Sequence, residues 1–120
     1  MGQNKQHKKC VQDTINRIKK THLCQKEYPV FRNGDIHFLD AVGFPHKERT
    51  DLKPIAVECE CGSSKPQQES NKMDLLEFKK RYPEAEVFQV NNAEQIDFNR
   101  LKKMQQRPVY KPIYRPIRRF

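Results

Sequence analysis

Apolar residues recur along the first half of the chain with two different periods, which predict one helix followed by three strands. Val11, Ile15 and Ile18 are spaced four and then three residues apart, as on one face of an amphipathic helix over residues 9–22. From Leu23 the pattern becomes extended, and turn-forming residues divide it into segments. We expect three strands joined by short connections into an antiparallel meander, at residues 23–31, 36–44 and 54–61.

The next part of the chain predicts a second helix and a fourth strand. Leu75 and Phe78 lie on one side of a helix over residues 67–81, which ends just before Pro83. The following apolar segment, residues 84–90, reads as a strand. Because a helix connects it to the third strand, we expect these two strands to run parallel.

A third helix is predicted after the fourth strand. Asn92 followed by Gln95 resembles a capping box, which would open a helix over residues 93–104. The complete order is helix, three strands, helix, strand, helix, and it indicates an α/β domain with a mixed sheet. We expect a single domain over residues 1–106, followed by a tail over residues 107–120.

Two carboxylates lie in the third predicted strand, which is otherwise apolar. Successive side chains of a strand point to opposite faces, so Glu58 and Glu60 share one face. The other face carries Val57, Cys59 and Cys61. A buried carboxylate is costly unless it is paired or binds a metal ion. The strand alone leaves two interpretations equal: a divalent cation bound by the carboxylates, or a solvated acidic face on a half-exposed strand.

A further acid interrupts the second predicted strand. Asp40 stands in an apolar row between Phe38 and Val42, and His37, Leu39 and Ala41 are expected on the opposite face. The loop to the third strand is short enough for a hairpin, so we expect Asp40 and Glu58 to be neighbours. Carboxylates on adjacent strands can hold a hard cation with one side open to a substrate.

Charge is distributed unevenly along the chain. Residues 1–26 carry seven Lys or Arg and one acid, and residues 100–120 carry eight Lys or Arg and no acid. Basic ends beside an acidic site suit an enzyme that acts on a polyanion such as DNA, although charged termini are often only solvated. The chain has no apolar run near eighteen residues and no signal-peptide pattern, so we expect a soluble, cytoplasmic protein with no membrane partner.

The chain resembles the restriction-endonuclease-like, or PD-(D/E)XK, nuclease superfamily. The resemblance covers roughly residues 8–90 and depends on the order αβββαβ with three runs: KEYPV at 26–30, LDAVG at 39–43 and IAVECE at 55–60. It is similar to small branches that include archaeal Holliday-junction resolvases and transposon-end nucleases. The resemblance implies a restriction-endonuclease-like core and metal-dependent cleavage of DNA, selective for branched structures. It also implies that Asp40 and Glu58 bind Mg²⁺ or Mn²⁺.

The chain departs from the family pattern at position 60, where it has Glu60 and most members have a lysine. That lysine is thought to orient or deprotonate the attacking water. Glu60 is then either a further metal ligand or the base that takes the proton of the water. Lys72, near the start of the second helix, is a candidate for the missing positive charge, and Lys65 is a weaker one.

Two other acids compete for the metal site. Asp35 follows Gly34 and is an alternative to Asp40, although the Asn-Gly-Asp sequence is typical of a turn. Glu27, in the first predicted strand, would either donate a further oxygen ligand or lie on the surface.

The four cysteines do not have the spacing of a structural zinc site. Cys10 and Cys24 are far apart, and Cys59 and Cys61 are separated by one residue. Cys59 and Cys61 lie on the strand face opposite the two carboxylates, which favours small buried thiols under a helix. A disulfide or an iron–sulfur cluster is the alternative.

Three functions are compatible with these patterns. The prediction is a metal-dependent DNA endonuclease. The alternative is a non-catalytic nucleic-acid-binding protein on the same fold, with Glu60 as the mark of lost activity. A zinc-stabilised adaptor whose basic ends bind a protein is the third.

The tail over residues 107–120 combines positive charge with apolar side chains on a proline-rich backbone. Prolines recur every fourth residue, which predicts an extended conformation. We expect the tail to pack on its own domain, to join a homodimer, or to lie on DNA. Its cations, together with Lys65, are the predicted nucleic-acid contacts: Arg107, Lys111, Arg115, Arg118 and Arg119.

If the tail lies on DNA, deleting residues 107–120 should weaken DNA binding, because the five lost cations would no longer displace counterions. The slope of log K against log salt should flatten by up to about four or five units. Fluorescence anisotropy across a salt series measures it. An unchanged slope would exclude a DNA contact, and loss of a dimer in sedimentation would assign the tail to assembly.

Overall fold

The computed structural model describes residues 5–103, which contain two helices, four strands and two 3₁₀ turns. In chain order these are α1 (Lys5–Ile18), β1 (His22–Arg32), β2 (Asp35–Pro45), β3 (Ile55–Cys59), α2 (Lys65–Arg81), β4 (Glu86–Val90) and 3₁₀ turns at Ala93–Gln95 and Phe98–Leu101. Neither helix is long and apolar enough to cross a membrane. The predicted tail over residues 107–120 lies outside the described residues.

The four strands form one mixed sheet in the order β1-β2-β3-β4. The pairs β1 with β2 and β2 with β3 are antiparallel, and β4 pairs with β3 in parallel after the crossover through α2. The predicted meander, the parallel fourth strand and the α/β class with a mixed sheet are therefore confirmed. The finer expectation of a restriction-endonuclease-like core remains a prediction.

Two apolar clusters lie on opposite faces of the sheet. The cluster on the α1 side is formed by Cys10, Ile18, Ile55, Val57, Cys59, Phe88, Val90, Ile96 and Leu101. The cluster on the α2 side is formed by Val30, Leu39, Val42, Ala56, Leu75, Phe78 and Ala85. Each face of β3 is thus covered by a helix, which is why all five residues of this strand are buried.

Both helices begin earlier than the sequence pattern indicated. The Ser64 hydroxyl accepts a hydrogen bond from the Gln67 N–H at 3.3 Å and so caps α2. The helix therefore begins at Lys65, two residues before the predicted start. The helix α1 starts at Lys5 rather than at residue 9, and it ends at Ile18 because the chain enters β1 at His22.

The predicted third helix is wrong. The Asn92 side chain accepts from the Glu94 N–H at 2.9 Å, but the cap opens only one 3₁₀ turn, and a second short turn follows. Ile96 has extended backbone angles between the two turns. Ile96 and Leu101 are both buried in the α1-side cluster, and their separation of five residues does not fit one face of a helix.

The strands β1 and β2 change face at Glu27 and Asp40. The register pairs Lys26 with Ala41 and Tyr28 with Leu39, and Glu27 has a positive φ of 52° between them. Leu39 consequently packs on the α2 side together with Val42, three residues further on. The prediction that Leu39 faces away from Val42 is therefore wrong, because Glu27 and Asp40 are both left out of the pairing and the alternation of side chains is interrupted there.

Cys10 and Cys59 form a disulfide that connects α1 to β3, with a Cα–Cα distance of 6.1 Å. The prediction that Cys59 is buried under a helix is confirmed, but the prediction of free thiols is wrong for this residue, because Cys10 lies on the covering helix. Cys24 and Cys61 are both partly buried, and the Cys61 Sγ donates to the carbonyl of Asn91 at 2.8 Å.

The far half of the β1–β2 hairpin is held on α2 by a buried acid. Asp74 is 3% exposed and accepts a hydrogen bond from the Arg32 Nε at 2.7 Å. The His37 Nδ1 lies 3.2 Å from the same oxygen. These contacts hold the face of the hairpin that is turned toward α2, and they do not involve its other face.

Gly43 provides a test of this packing. A Cβ atom at this position would lie 2.9 Å from the His22 Cβ and 3.2 Å from the Ile55 Cγ2. We expect Gly43→Ala to lower the free energy of unfolding by about 1–3 kcal/mol through overpacking, as measured by urea denaturation. Gln25→Ala, at an exposed position of β1, is the control and should change stability little. Equal stability of Gly43→Ala and the parent would contradict the packing at β2.

Candidate active site

Two carboxyl groups meet where β2 lies beside β3. Ala41 pairs with Val57, which brings Asp40 next to Glu58. The Glu58 Oε1 lies 3.3 Å from the Asp40 N–H that donates to it, and the Cys59 N–H donates to the Asp40 Oδ2 at 2.7 Å. The two predicted ligands are therefore adjacent side chains, each oriented by a backbone N–H.

Glu58 is the most strongly perturbed group in this pair. It is 2% exposed, and its Oε2 atom is buried with no hydrogen-bond partner in the part of the chain that the structure describes. Burial, and to a smaller extent the charge of Asp40, together raise the pKa of Glu58 to about 10. In the absence of a cation, Glu58 is thus a neutral acid at neutral pH.

Glu60 follows the end of β3 and is held by amide groups. The Asn71 Nδ2 donates to its Oε1 at 2.9 Å, and the Gln89 Nε2 donates to its Oε2. The Glu60 N–H donates to the carbonyl of Val90, which continues the pairing toward β4. Both carboxylate oxygens of Glu60 therefore have partners, whereas among the described residues only one oxygen of Glu58 has one.

A depression on the α1 side opens onto Asp40. The His7 Nε2 lies 3.2 Å from the Asp40 Oδ2. The depression is lined by His7, Lys8, Val11, Gln12, Lys26, Glu27 and Asp40. Glu27, predicted as a further ligand, is exposed and stands across the ladder from Asp40. A ligand that enters from this side meets Asp40, Glu27 and two lysines.

A second depression lies on the other side of the acids, between α2 and β4. It is lined by Glu60, Gln68, Glu69, Lys72, Gln89, Val90 and Asn91. Lys72 is exposed and lines this depression together with Glu60. Lys72 is the predicted substitute for the family lysine, and Glu60 is the residue found at the position of that lysine.

Other predicted residues lie apart from the acids. Asp35 begins β2 opposite Arg32 and is exposed beside the hairpin turn. Five residues separate it from Asp40, about 16 Å along the strand. Lys65 is exposed at the first position of α2. The predicted tail contacts lie outside the described residues: Arg107, Lys111, Arg115, Arg118 and Arg119.

Three residues at the site were not predicted from the sequence. His7 lies before residue 9, where the sequence pattern placed the start of the first helix. In a helix that starts at Lys5, His7 lies three residues before Cys10 and therefore on the same side of the helix. Asn71 and Gln89 are uncharged. Asn71 lies on α2 in helical spacing with Leu75 and Phe78, which was the one available signal.

The donor set suits a hard cation, although the acids are not arranged as a complete metal site. Within residues 5–103, no group of three or more His, Cys, Asp or Glu side chains is placed to hold a metal ion. Asp40 and Glu58 still supply adjacent oxygens, and the buried Oε2 of Glu58 lacks a partner. Mg²⁺ and Mn²⁺ prefer oxygen ligands and keep several waters, so this pair fits such an ion.

No family model, curated protein or solved structure matches this chain. The resemblance to PD-(D/E)XK nucleases therefore rests on the order of elements and on the residues of the three runs.

Replacing Glu58 with Gln should reduce the loss of stability with rising pH. The folded-state pKa of Glu58, about 10, lies above its ordinary value of 4.5, so the folded protein binds the extra proton and stability falls as pH rises between these values. The free energy of unfolding of Glu58→Gln should therefore rise relative to that of the parent by about 2–4 kcal/mol between roughly pH 5 and pH 8. Urea denaturation in EDTA measures it.

Glu69→Gln is the matched control, because Glu69 is an exposed acid on α2. It should leave the pH dependence unchanged. Parallel pH profiles for Glu58→Gln and the parent would show that Glu58 is ionised in the folded protein.

Proposed function

We propose that this chain is a divalent-metal-dependent DNA endonuclease that hydrolyses phosphodiester bonds and is selective for branched DNA. The observation that carries the proposal is the buried Oε2 of Glu58, which lies beside Asp40 and has no hydrogen-bond partner among the described residues. Burying an acid next to another acid destabilises a fold, and a bound cation removes that cost. This supports a cation site rather than a structural role for the pair.

Asp40 and Glu58 are the residues that would hold Mg²⁺ or Mn²⁺. When bound, the ion neutralises charge on the phosphoryl oxygens and lowers the pKa of a water molecule. Glu58 releases its proton on binding the ion, since its pKa lies above neutrality in the free protein. The affinity for the ion is therefore expected to rise with pH.

Glu60 and Lys72 have separate roles in this proposal. Both oxygens of Glu60 accept hydrogen bonds from Asn71 and Gln89, so its position is fixed and its oxygens are less available to a metal. We assign it as the acceptor that orients the attacking water. Lys72 lines the same depression and supplies a positive charge for the phosphate.

Lys8 and Lys26 contact the DNA backbone on the opposite side of the acids. Both line the depression that opens onto Asp40. Lysines at such positions bind phosphates without regard to sequence, which suits recognition of DNA by its structure.

The amide contacts of Glu60 favour one alternative, a nucleic-acid-binding protein without catalytic activity. A carboxylate held by two amides in place of a lysine is also a stable structural arrangement. Binding of branched DNA with no cleavage in any divalent ion would support this alternative.

Cleavage of labelled linear, nicked and four-way-junction DNA tests the proposal. Asp40→Asn and Glu58→Gln should each lower Mg²⁺- or Mn²⁺-dependent cleavage by at least about a hundredfold while DNA binding is retained, because each removes a ligand of the ion. Asp35→Asn is the control and should cleave like the parent. Mg²⁺ should also raise the melting temperature of the parent but not of Glu58→Gln. Full activity in Glu58→Gln would overturn the site.

A further inference from the structure

One face of the β1–β2 hairpin carries apolar side chains that nothing within residues 5–103 covers. Phe31, Phe38 and Ile36 are 68%, 57% and 55% exposed. The register places Phe31 opposite Ile36 and Phe38 opposite Pro29, so these four side chains share one face. We name them the hairpin platform. The opposite face of the same strands packs on α2 through Tyr28, Val30 and Leu39.

The hairpin platform adjoins the depression that opens onto Asp40. Phe38 is two residues from Asp40, about 7 Å along β2. Lys26, which lines the depression, lies on the same face of the sheet, because Cys24 two residues earlier packs in the α1-side cluster. The aromatic rings, Lys26 and Asp40 thus follow one another along a single face of the sheet. From Asp40 to Ile36 this path spans about 13 Å, the length of a few nucleotides.

The exposed area of the platform is too small for a stable contact between two copies of the chain. The exposed parts of Phe31, Ile36 and Phe38 amount to roughly 350 Å². A stable interface buries about 800 Å² on each partner. A ligand whose flat groups stack on the individual aromatic rings fits this area better.

We propose that the hairpin platform binds unpaired bases of single-stranded DNA next to the phosphate that Asp40 and Glu58 would cleave. The inference rests on the proposed function for the position of that phosphate. Aromatic side chains beside positive charge are the usual means of holding a single strand, because each base stacks on a ring while lysines hold the backbone. Branched DNA contains such bases where its duplexes separate.

Anisotropy with a labelled strand of about fifteen thymidines tests the platform, since single-strand sites cover about 4–16 nucleotides. The full chain is used in EDTA, with a blunt duplex of equal length in parallel. Phe31→Leu and Phe38→Leu should each weaken single-strand binding about tenfold and leave duplex binding unchanged, because leucine keeps the apolar surface but removes the ring. Phe38→Tyr should bind like the parent.

Leu23→Ala is the matched control, because Leu23 is 65% exposed on β1 outside the platform. It should not change the affinity. Quenching of 2-aminopurine in the strand should accompany binding to the parent and should be lost in Phe38→Leu, as expected for stacking. Circular dichroism melting verifies that the variants are folded, which is expected because the replaced rings are exposed.

Two results would overturn the inference. Equal single-strand affinities for the parent and both Leu variants would show that the rings do not contact bases. A dimer in sedimentation that Phe38→Asp converts to a monomer would assign the platform to a second copy. Cleavage plays no part in these measurements. A chain that stacks bases but cleaves no DNA would overturn the proposed function alone.

Discussion

The contact between Asp40 and Glu58 is the constraint on which the rest of the site depends. Placing two acids together inside a sheet is unfavourable, and the surrounding residues reduce this cost only in part. The Cys59 N–H donates to Asp40, and amides donate to Glu60, but one oxygen of Glu58 has no partner within residues 5–103. The proposed cation site would remove the cost of this buried oxygen.

The change of face at Glu27 has consequences on both sides of the sheet. It brings the Asp40 carboxylate within reach of His7 on α1, while Leu39 turns onto α2. It also places Phe31 and Phe38 on the α1-side face of the sheet, where nothing within residues 5–103 covers them. One left-handed residue therefore accounts for the access to the acids and for the exposed rings beside them.

The helix α1 is held against the acid pair by contacts at two successive turns. His7 contacts Asp40, and Cys10 is bonded to Cys59, the residue next to Glu58. This disulfide is a covalent link between α1 and the strand that carries Glu58. The covalent state of this pair thus bears directly on how firmly α1 closes the site.

The sequence by itself determined the strands, the meander, the parallel fourth strand and the pairing of Asp40 with Glu58, because these follow from local periodicity and short connections. Only the tertiary structure decided the disulfide, the amides around Glu60 and the position of His7, since these contacts join residues distant in the chain. The predicted third helix failed for the same reason: burial of Ile96 and Leu101 in the shared core overrode the local capping pattern. Local signals set which elements form, and long-range packing sets which side chains meet.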